Sequence, residues 1–291
     1  MTLFWSKHGE VACEQHAPPP QSSVWHDDGW QMVPQSSASY PDLLYCEQCR
    51  LVRAFEDRRR VAADVPRTPA SLVEQIGRLQ HGDHACLFYD NEQDQLPVVC
   101  EFIKQGLARM ERCLYICDEH SIEEVAAALT AYGIDVAHER ERGALQLVPI
   151  ANAHLIGGCF AAENVQTLVR EGVAQALADG FTGLRATGEM TWLQRGVPGA
   201  DHFFDCESTM NTIYPGSRAI GLCQYRSGMR ADALDGALRT HPHVIVDDRL
   251  AANVFYEPPE VFAAGDEERV RWKIVMASRH AQTARVSSSG A

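Results

Sequence analysis

Two short-range pairs of metal-ligating residues stand near the start of this 291-residue sequence, Cys13-x-x-His16 and Cys46-x-x-Cys49. Structural zinc sites are built this way: each pair gives two ligands, and the intervening chain folds back to complete a tetrahedron around the ion. The expected ligands are Cys13, His16, Cys46 and Cys49, with His8 as a spare candidate. The pairs lie farther apart than in a DNA-reading zinc finger, and unmetallated cysteines with a surface histidine are the alternative reading. Cys86, Cys100, Cys113, Cys117, Cys206 and Cys223 fall instead on predicted strands or apolar helix faces. There a reduced cysteine acts as a small hydrophobe.

A second place for chemistry is the segment Gly183–Met190 (GLRATGEM). Read as a strand, it puts Leu184, Ala186, Gly188 and Met190 on one face and Arg185, Thr187 and Glu189 on the other. Polar side chains on a buried strand are the informative exception. Either Arg185 and Glu189 satisfy each other within the fold, or this face lines a pocket with Glu189 and Trp192 at its mouth. Asp118, Glu119, His120, Asn152, His154, Gln224 and Tyr225 are expected at the same edge. The candidate ligand-binding set is therefore Asp118, Glu119, Glu189, Trp192, Gln224 and Tyr225. A mixed polar and aromatic rim of this kind suits a small uncharged or cationic ligand. No Ser/His/Asp set is fixed by spacing and no GxSxG elbow occurs, so no catalytic residue is assigned.

These residues need a scaffold, and the pattern after Thr68 supplies one. Thr68 and Pro69 open a predicted helix to about Leu79. Apolar strand-like runs then follow near His84–Asp90, Arg112–Asp118, Ala144–Ile150, Gly183–Met190, Ser217–Tyr225 and Val244–Val246. Between them, Leu96, Val99, Cys100, Ile103 and Leu107 keep helical spacing, as do Ile122, Val125, Ala126 and Leu129 behind a capping box of Ser121 and Glu124. Val165, Leu168, Val169 and Ala176 form a third stripe, and Phe203, Cys206, Met210 and Ile213 a fourth. Continuous apolar strands joined by crossover helices predict an α/β fold, a parallel sheet covered on both faces. His241-Pro242-His243 reads as a helix exit rather than a ligand pair. Asp266 to His280 reads as a terminal helix before a fraying tail.

In such a sheet, ligands bind beyond the carboxyl ends of the strands. A phosphate loop would follow the first strand, with glycines, a lysine and a Ser/Thr. The sequence there is Asp90-Asn91-Glu92-Gln93-Asp94-Gln95, with no glycine, no lysine and three carboxylates. Like charge at that range repels polyphosphate, so no ATP is expected.

HACLFYDNEQDQLPVVCEFIKQGLARMERCLYICDE, LRATGEMTW, LCQY and LRTHPHVIV, in that order, resemble the MEDS domain. That sensory domain is named after methanogens, methylotrophs and the dichloromethane-dehalogenase repressor. The resemblance runs from about His81 to Phe262. It implies a three-layer sandwich like that of RecA and KaiC without the P-loop, and a role in sensing hydrocarbon derivatives. Residues 1–67 are then a small loop-rich zinc module and linker, residues 68–262 the sensory domain, and residues 263–291 a helix and tail. Trp5, Trp25 and Trp30 argue for a folded module rather than a disordered leader.

The totals narrow the function. A net charge of −13 argues against broad attachment to nucleic acid or anionic lipid. The arginines Arg50, Arg53, Arg58, Arg59 and Arg60 belong to residues 1–67, where 7 basic and 9 acidic groups leave a net of −2, so they read as a solvated helix. No apolar run is long enough to cross a bilayer and the N-terminus lacks signal-peptide character, so a cytoplasmic location is expected. The reading is a cytoplasmic sensor-regulator that binds a small molecule or a regulatory protein and relays it to transcriptional or signalling output. A homo-oligomer is compatible with it. The alternatives are a RecA-like nucleotide-dependent enzyme using Glu189 with Asp118 for hydrolysis, and a zinc-dependent protein-interaction adaptor.

Overall fold

The computed structural model describes residues 69–246, 249–265 and 267–275, and in the N-terminal part residues 3–5, 11–13, 20–21, 23–27 and 31–32. The chain divides into two compact units, Met1–Arg67 and Thr68–Ala291. In the first, β1 (Leu3–Trp5) pairs antiparallel with both β2 (Val11–Cys13) and β3 (Gln31–Met32), and a short helix covers Ser23–Asp27. The backbone of Cys13 closes β2. Its side chain lies outside the described residues, and so do His8, His16, Cys46, Cys49, the expected helix after Arg50 and the tail.

The second unit is built on a seven-stranded sheet. Its strands are β4 (His84–Tyr89), β5 (Arg112–Cys117), β6 (Leu145–Pro149), β7 (Leu184–Glu189), β8 (Ala219–Arg226), β9 (His243–Val246) and β10 (Arg249–Ala252). Their order is β10-β9-β4-β8-β7-β5-β6. All neighbours are parallel except the β9–β10 edge hairpin, which the sequence reading did not foresee. Every residue of β5 and β7 is buried, as expected of strands covered on both faces.

Two apolar layers flank the sheet. On one side, Leu72 and Ile76 of the helix Pro69–Gly77, Val99, Phe102 and Ile103 of the helix Glu92–Ala108, and Val125 and Leu129 of the helix Ile122–Ala131 pack on Leu87, Tyr115 and Leu222. On the other, Val165 and Val169 of the helix Ala162–Ala178, Phe203 and Met210 of the helix Phe203–Ile213, and Ala233 and Ala237 of the helix Ala231–Thr240 pack on Leu114, Ala186 and Tyr225. The result is a three-layer α/β sandwich. The helix after β5 begins with a complete capping box: Ser121 Oγ accepts from the Glu124 amide at 3.2 Å, and Glu124 accepts from the Ser121 amide at 2.8 Å. A helix over residues 267–275 ends the described chain. Among the described residues no helix is long and apolar enough to cross a membrane.

Candidate functional site

The chain runs outward from β4 to β5 and β6, returns through β7 and β8, and only then reaches β9 beyond β4. The carboxyl ends of β4, β8, β7 and β5 therefore form the edge where such folds place ligands. Only Asp90 and Asn91 separate β4 from the next helix; Glu92 to Gln95 are its first turn. Asn91 caps that helix by accepting from the Asp94 amide at 3.2 Å. The acidic segment read as a loop is thus largely helix, too short a connection to wrap a phosphate.

Glu189, at the end of β7, is completely buried. Its Oε2 accepts from the amides of Asp118, Glu119 and His120 at 2.8, 2.6 and 3.1 Å. Its Oε1 accepts from Tyr115 Oη at 2.7 Å and meets His120 Nδ1 at 2.6 Å. Five donors saturate a carboxylate. Burial alone would raise this acid's pKa, but the hydrogen bonds from His120, Tyr115 and the backbone outweigh it, and the carboxyl titrates below its ordinary range. The same contact, against some loss from burial, lifts His120 to about 9. Glu189 and His120 form an ion pair at neutral pH.

The neighbouring acids are engaged too. Asp118 accepts from Thr191 Oγ1 at 2.7 Å and Arg195 Nη2 at 2.5 Å. Glu119 accepts from Tyr89 Oη at 3.2 Å and pairs with Arg226 Nη2 at 2.5 Å. Gln224 accepts from Gln95 Nε2 at 2.7 Å and donates to Thr187 Oγ1 at 2.8 Å, which in turn donates to the Leu222 carbonyl. Asp118, Glu119, Glu189 and Gln224 are therefore brought together, but bonded to one another's neighbours in one network, in which Gln95 Oε1 has no hydrogen-bond partner among the described residues. Arg185 does not pair with Glu189. It bonds Glu111 Oε2 at 2.5 Å from the opposite end of the strand, because residues four apart on a strand lie roughly 13 Å apart.

Trp192 and Tyr225 belong elsewhere. Both are fully buried in the opposite layer, so neither stands at the mouth of a cleft with Glu189. Trp192 stacks on Phe160 with centroids 5.5 Å apart and meets Phe203 edge-on at 5.2 Å. Beside them, on the face of the sheet opposite Glu189, lies a cavity. It measures about 40 Å³ and is lined by Ala186 and Gly188 of β7, by Met190 just after it, by Val165, Leu168 and Val169, and by Met210 and Tyr214. Its polar wall is His84, His154, Glu207 and Cys223. Burial, only partly opposed by Glu207 and Asp118, lowers His154 to about 4. The imidazole is neutral at physiological pH, and its Nδ1 has no hydrogen-bond partner among the described residues.

The sequence reading gave no role to His84 or Glu207, and took His241 for a helix exit and Cys223 for a small hydrophobe. One signal was available for Glu207. With Phe203, Cys206 and Met210 it follows i, i+3, i+4, i+7 spacing, a carboxylate on the apolar stripe.

The pKa of His120 carries a testable consequence. Its folded value is raised from 6.5 to about 9, so its contribution is complete below pH 6.5 and lost as pH rises through 9. Melting temperature is expected to fall over that interval, and the fall is expected to vanish in His120→Asn. A parallel fall in the variant would assign the effect to other groups.

The family model described as "MEDS: MEthanogen/methylotroph, DcmR Sensory domain" matches residues 83–242, the span that holds both the strand-end network and the cavity. Comparison with curated proteins gives no match. Among solved structures, a KaiC-like protein from the hyperthermophilic archaeon Pyrococcus horikoshii OT3 is similar at 12% identity and a TM-score of 0.43, over 56% of this chain and 70% of that one. With more than half of its length matched by that model, the chain belongs to the MEDS family of sensory domains.

Proposed function

We propose that the chain is a non-enzymatic sensor-regulator that takes up a small, largely apolar molecule, such as a short hydrocarbon derivative, in the cavity between β7 and the helices Ala162–Ala178 and Phe203–Ile213. The cavity carries this reading: apolar walls from Val165, Leu168, Val169, Met190 and Met210 around a neutral His154 whose Nδ1 is unpartnered. Small-molecule sites combine such walls with a few polar groups that fix orientation. The saturated state of Glu189 supports it from the other side, since five internal donors leave that acid no lone pair for a nucleotide's magnesium. The N-terminal unit is read as a structural zinc module on Cys13, His16, Cys46 and Cys49, on the strength of their spacing. It would pass the signal to a protein partner in a transcriptional or signalling pathway.

Dichloromethane and methanol, as compact probes, test the cavity. Saturable thermal stabilisation by at least one of them is expected, and Val169→Phe, which fills the space, is expected to abolish it. An identical response of both proteins would overturn the assignment, as would saturable binding of magnesium-ATP.

A further inference from the structure

Four buried side chains converge beside the cavity from separate elements: His84 from β4, Glu207 from the helix Phe203–Ile213, Cys223 from β8, and His241 just after the helix Ala231–Thr240. One ligand atom from each lies within 4.8 Å of all the others. Glu207 Oε2 is 3.0 Å from His241 Nε2 and 3.3 Å from His84 Nε2. Cys223 Sγ is 3.7 Å from His84 Nε2 and 3.6 Å from Glu207 Oε2. Metal bonds of the usual zinc lengths place neighbouring N, O and S ligands of a tetrahedron about 3.3–3.6 Å apart. The four spacings sit close to those edges.

The hydrogen bonds around the cluster fix which ring nitrogens face inward. Asn211 Nδ2 donates to the carbonyls of Glu207 and Thr240 at 3.2 and 2.6 Å, so its Oδ1 is the acceptor end. His84 Nδ1, 3.1 Å from that Oδ1, therefore donates to it. His241 Nδ1, 2.8 Å from the Ala237 carbonyl, donates there. With Nδ1 donating outward, both rings present Nε2 toward Glu207 Oε2. His241 Nε2 makes no hydrogen bond of acceptable angle, despite the carboxylate 3.0 Å away. Two ring nitrogens, a carboxylate oxygen and a thiol sulfur thus converge on one point. Outward Nδ1–H bonds that set the tautomer and aim Nε2 inward are the usual support of metal-bound histidines.

We propose that His84, Glu207, Cys223 and His241 bind a divalent transition cation of the zinc class. The ligand set of two imidazoles, one thiolate and one carboxylate suits such a borderline-soft ion. Its two negative charges balance the cation, which a buried site requires. Binding releases the Cys223 proton to solvent and changes no oxidation state. Four protein ligands make a closed, structural centre that ties β4 and β8 to the helix Phe203–Ile213 and to the end of the helix Ala231–Thr240. His84, Glu207 and Cys223 also line the cavity, so the metal itself is read directly, and the proposal does not rest on the N-terminal zinc reading.

The test uses the full chain with Cys13→Ser, Cys46→Ser and Cys49→Ser, which removes the N-terminal thiolates. Elemental analysis after growth with zinc is expected to give one bound metal per chain. Cobalt exchanged into the same protein is expected to show a thiolate-to-cobalt charge-transfer band that disappears in Cys223→Ala, with the far-ultraviolet circular dichroism of both proteins unchanged. No bound metal in the folded chain, or a charge-transfer band that survives Cys223→Ala, would overturn the assignment.

Discussion

Glu189→Ala is expected to lower the unfolding free energy by about 3–5 kcal/mol, the range for breaking a buried, hydrogen-bonded ion pair. The substitution strands the amides of Asp118, Glu119 and His120, the Tyr115 hydroxyl and the His120 ring at once. An isolated surface acid would cost well under 1 kcal/mol. Glu189→Gln is expected to be nearly as damaging, because one terminal atom of the amide becomes a donor facing other donors. Since the folded pKa of Glu189 lies below its ordinary 4.5, its contribution is present above that pH and lost as pH falls through the folded value. Urea denaturation at pH 7 and pH 3 measures both parts. Equal losses at the two pH values, or a loss under about 1 kcal/mol at pH 7, would show that Glu189 is not the anchor described.

That expectation bears on how a strand-end acid behaves in a fold without a phosphate loop. An acid at this position can hold a metal only if its lone pairs face the cleft. Here the turn after β5 curls its three amides over the carboxylate, much as such turns cradle bound anions. The protein's own side chain takes the place of an external anion. Gln95, in the first turn of the following helix, extends the same logic by filling the adjoining space and bonding Gln224. The edge has become a staple between β5, β7, β8 and the helix Glu92–Ala108.

Much of this architecture could be read from residue pattern, because strand and helix periods are local. The alternation of apolar runs and stripes marks β4 to β9 and the main helices, and the capping box at Ser121 marks one helix start to the residue. The short edge strand Arg249–Ala252 carries no such run, and its single buried residue, Leu250, leaves no alternation to detect. The site was legible only in part. Asp118, Glu119, Glu189 and Gln224 share a strand edge, which topology predicts. Whether their polar atoms face a cleft or each other depends on the path of one turn, which no spacing encodes. Trp192 follows β7 by three residues, yet a tight 3₁₀ turn over Thr191–Arg195 carries it under the sheet. His241 looked like a helix exit and is one, closing the helix Ala231–Thr240. Its partners Glu207 and Cys223 are distant in sequence, so only the folded chain shows them together.

The second large effect concerns Arg185 and Glu111. Arg185 is fully buried, bonds Glu111 Oε2 and the Phe102 carbonyl, and lays its guanidinium 4.6 Å from the Phe102 ring centroid. Room for it comes from Gly106, where an added Cβ would lie 2.7 Å from Arg185 Cδ and 2.6 Å from Cys113 Sγ. Glu111→Leu removes the countercharge and is expected to cost about 3–5 kcal/mol, because the guanidinium stays buried with only the Phe102 carbonyl and ring as partners. Arg185→Met, which leaves Glu111 with only His81 Nε2 at 3.0 Å, is expected to cost a similar amount. The double variant is expected to recover most of either loss, since an apolar pair of similar volume escapes the desolvation that the ion pair carries. Guanidinium denaturation of the four proteins gives the coupling directly. Additive losses would mean that Arg185 is held chiefly by the Phe102 ring and carbonyl. A double variant close to wild type would mean that the ion pair sets the register of β7 against the end of the helix Glu92–Ala108 more than it adds to stability.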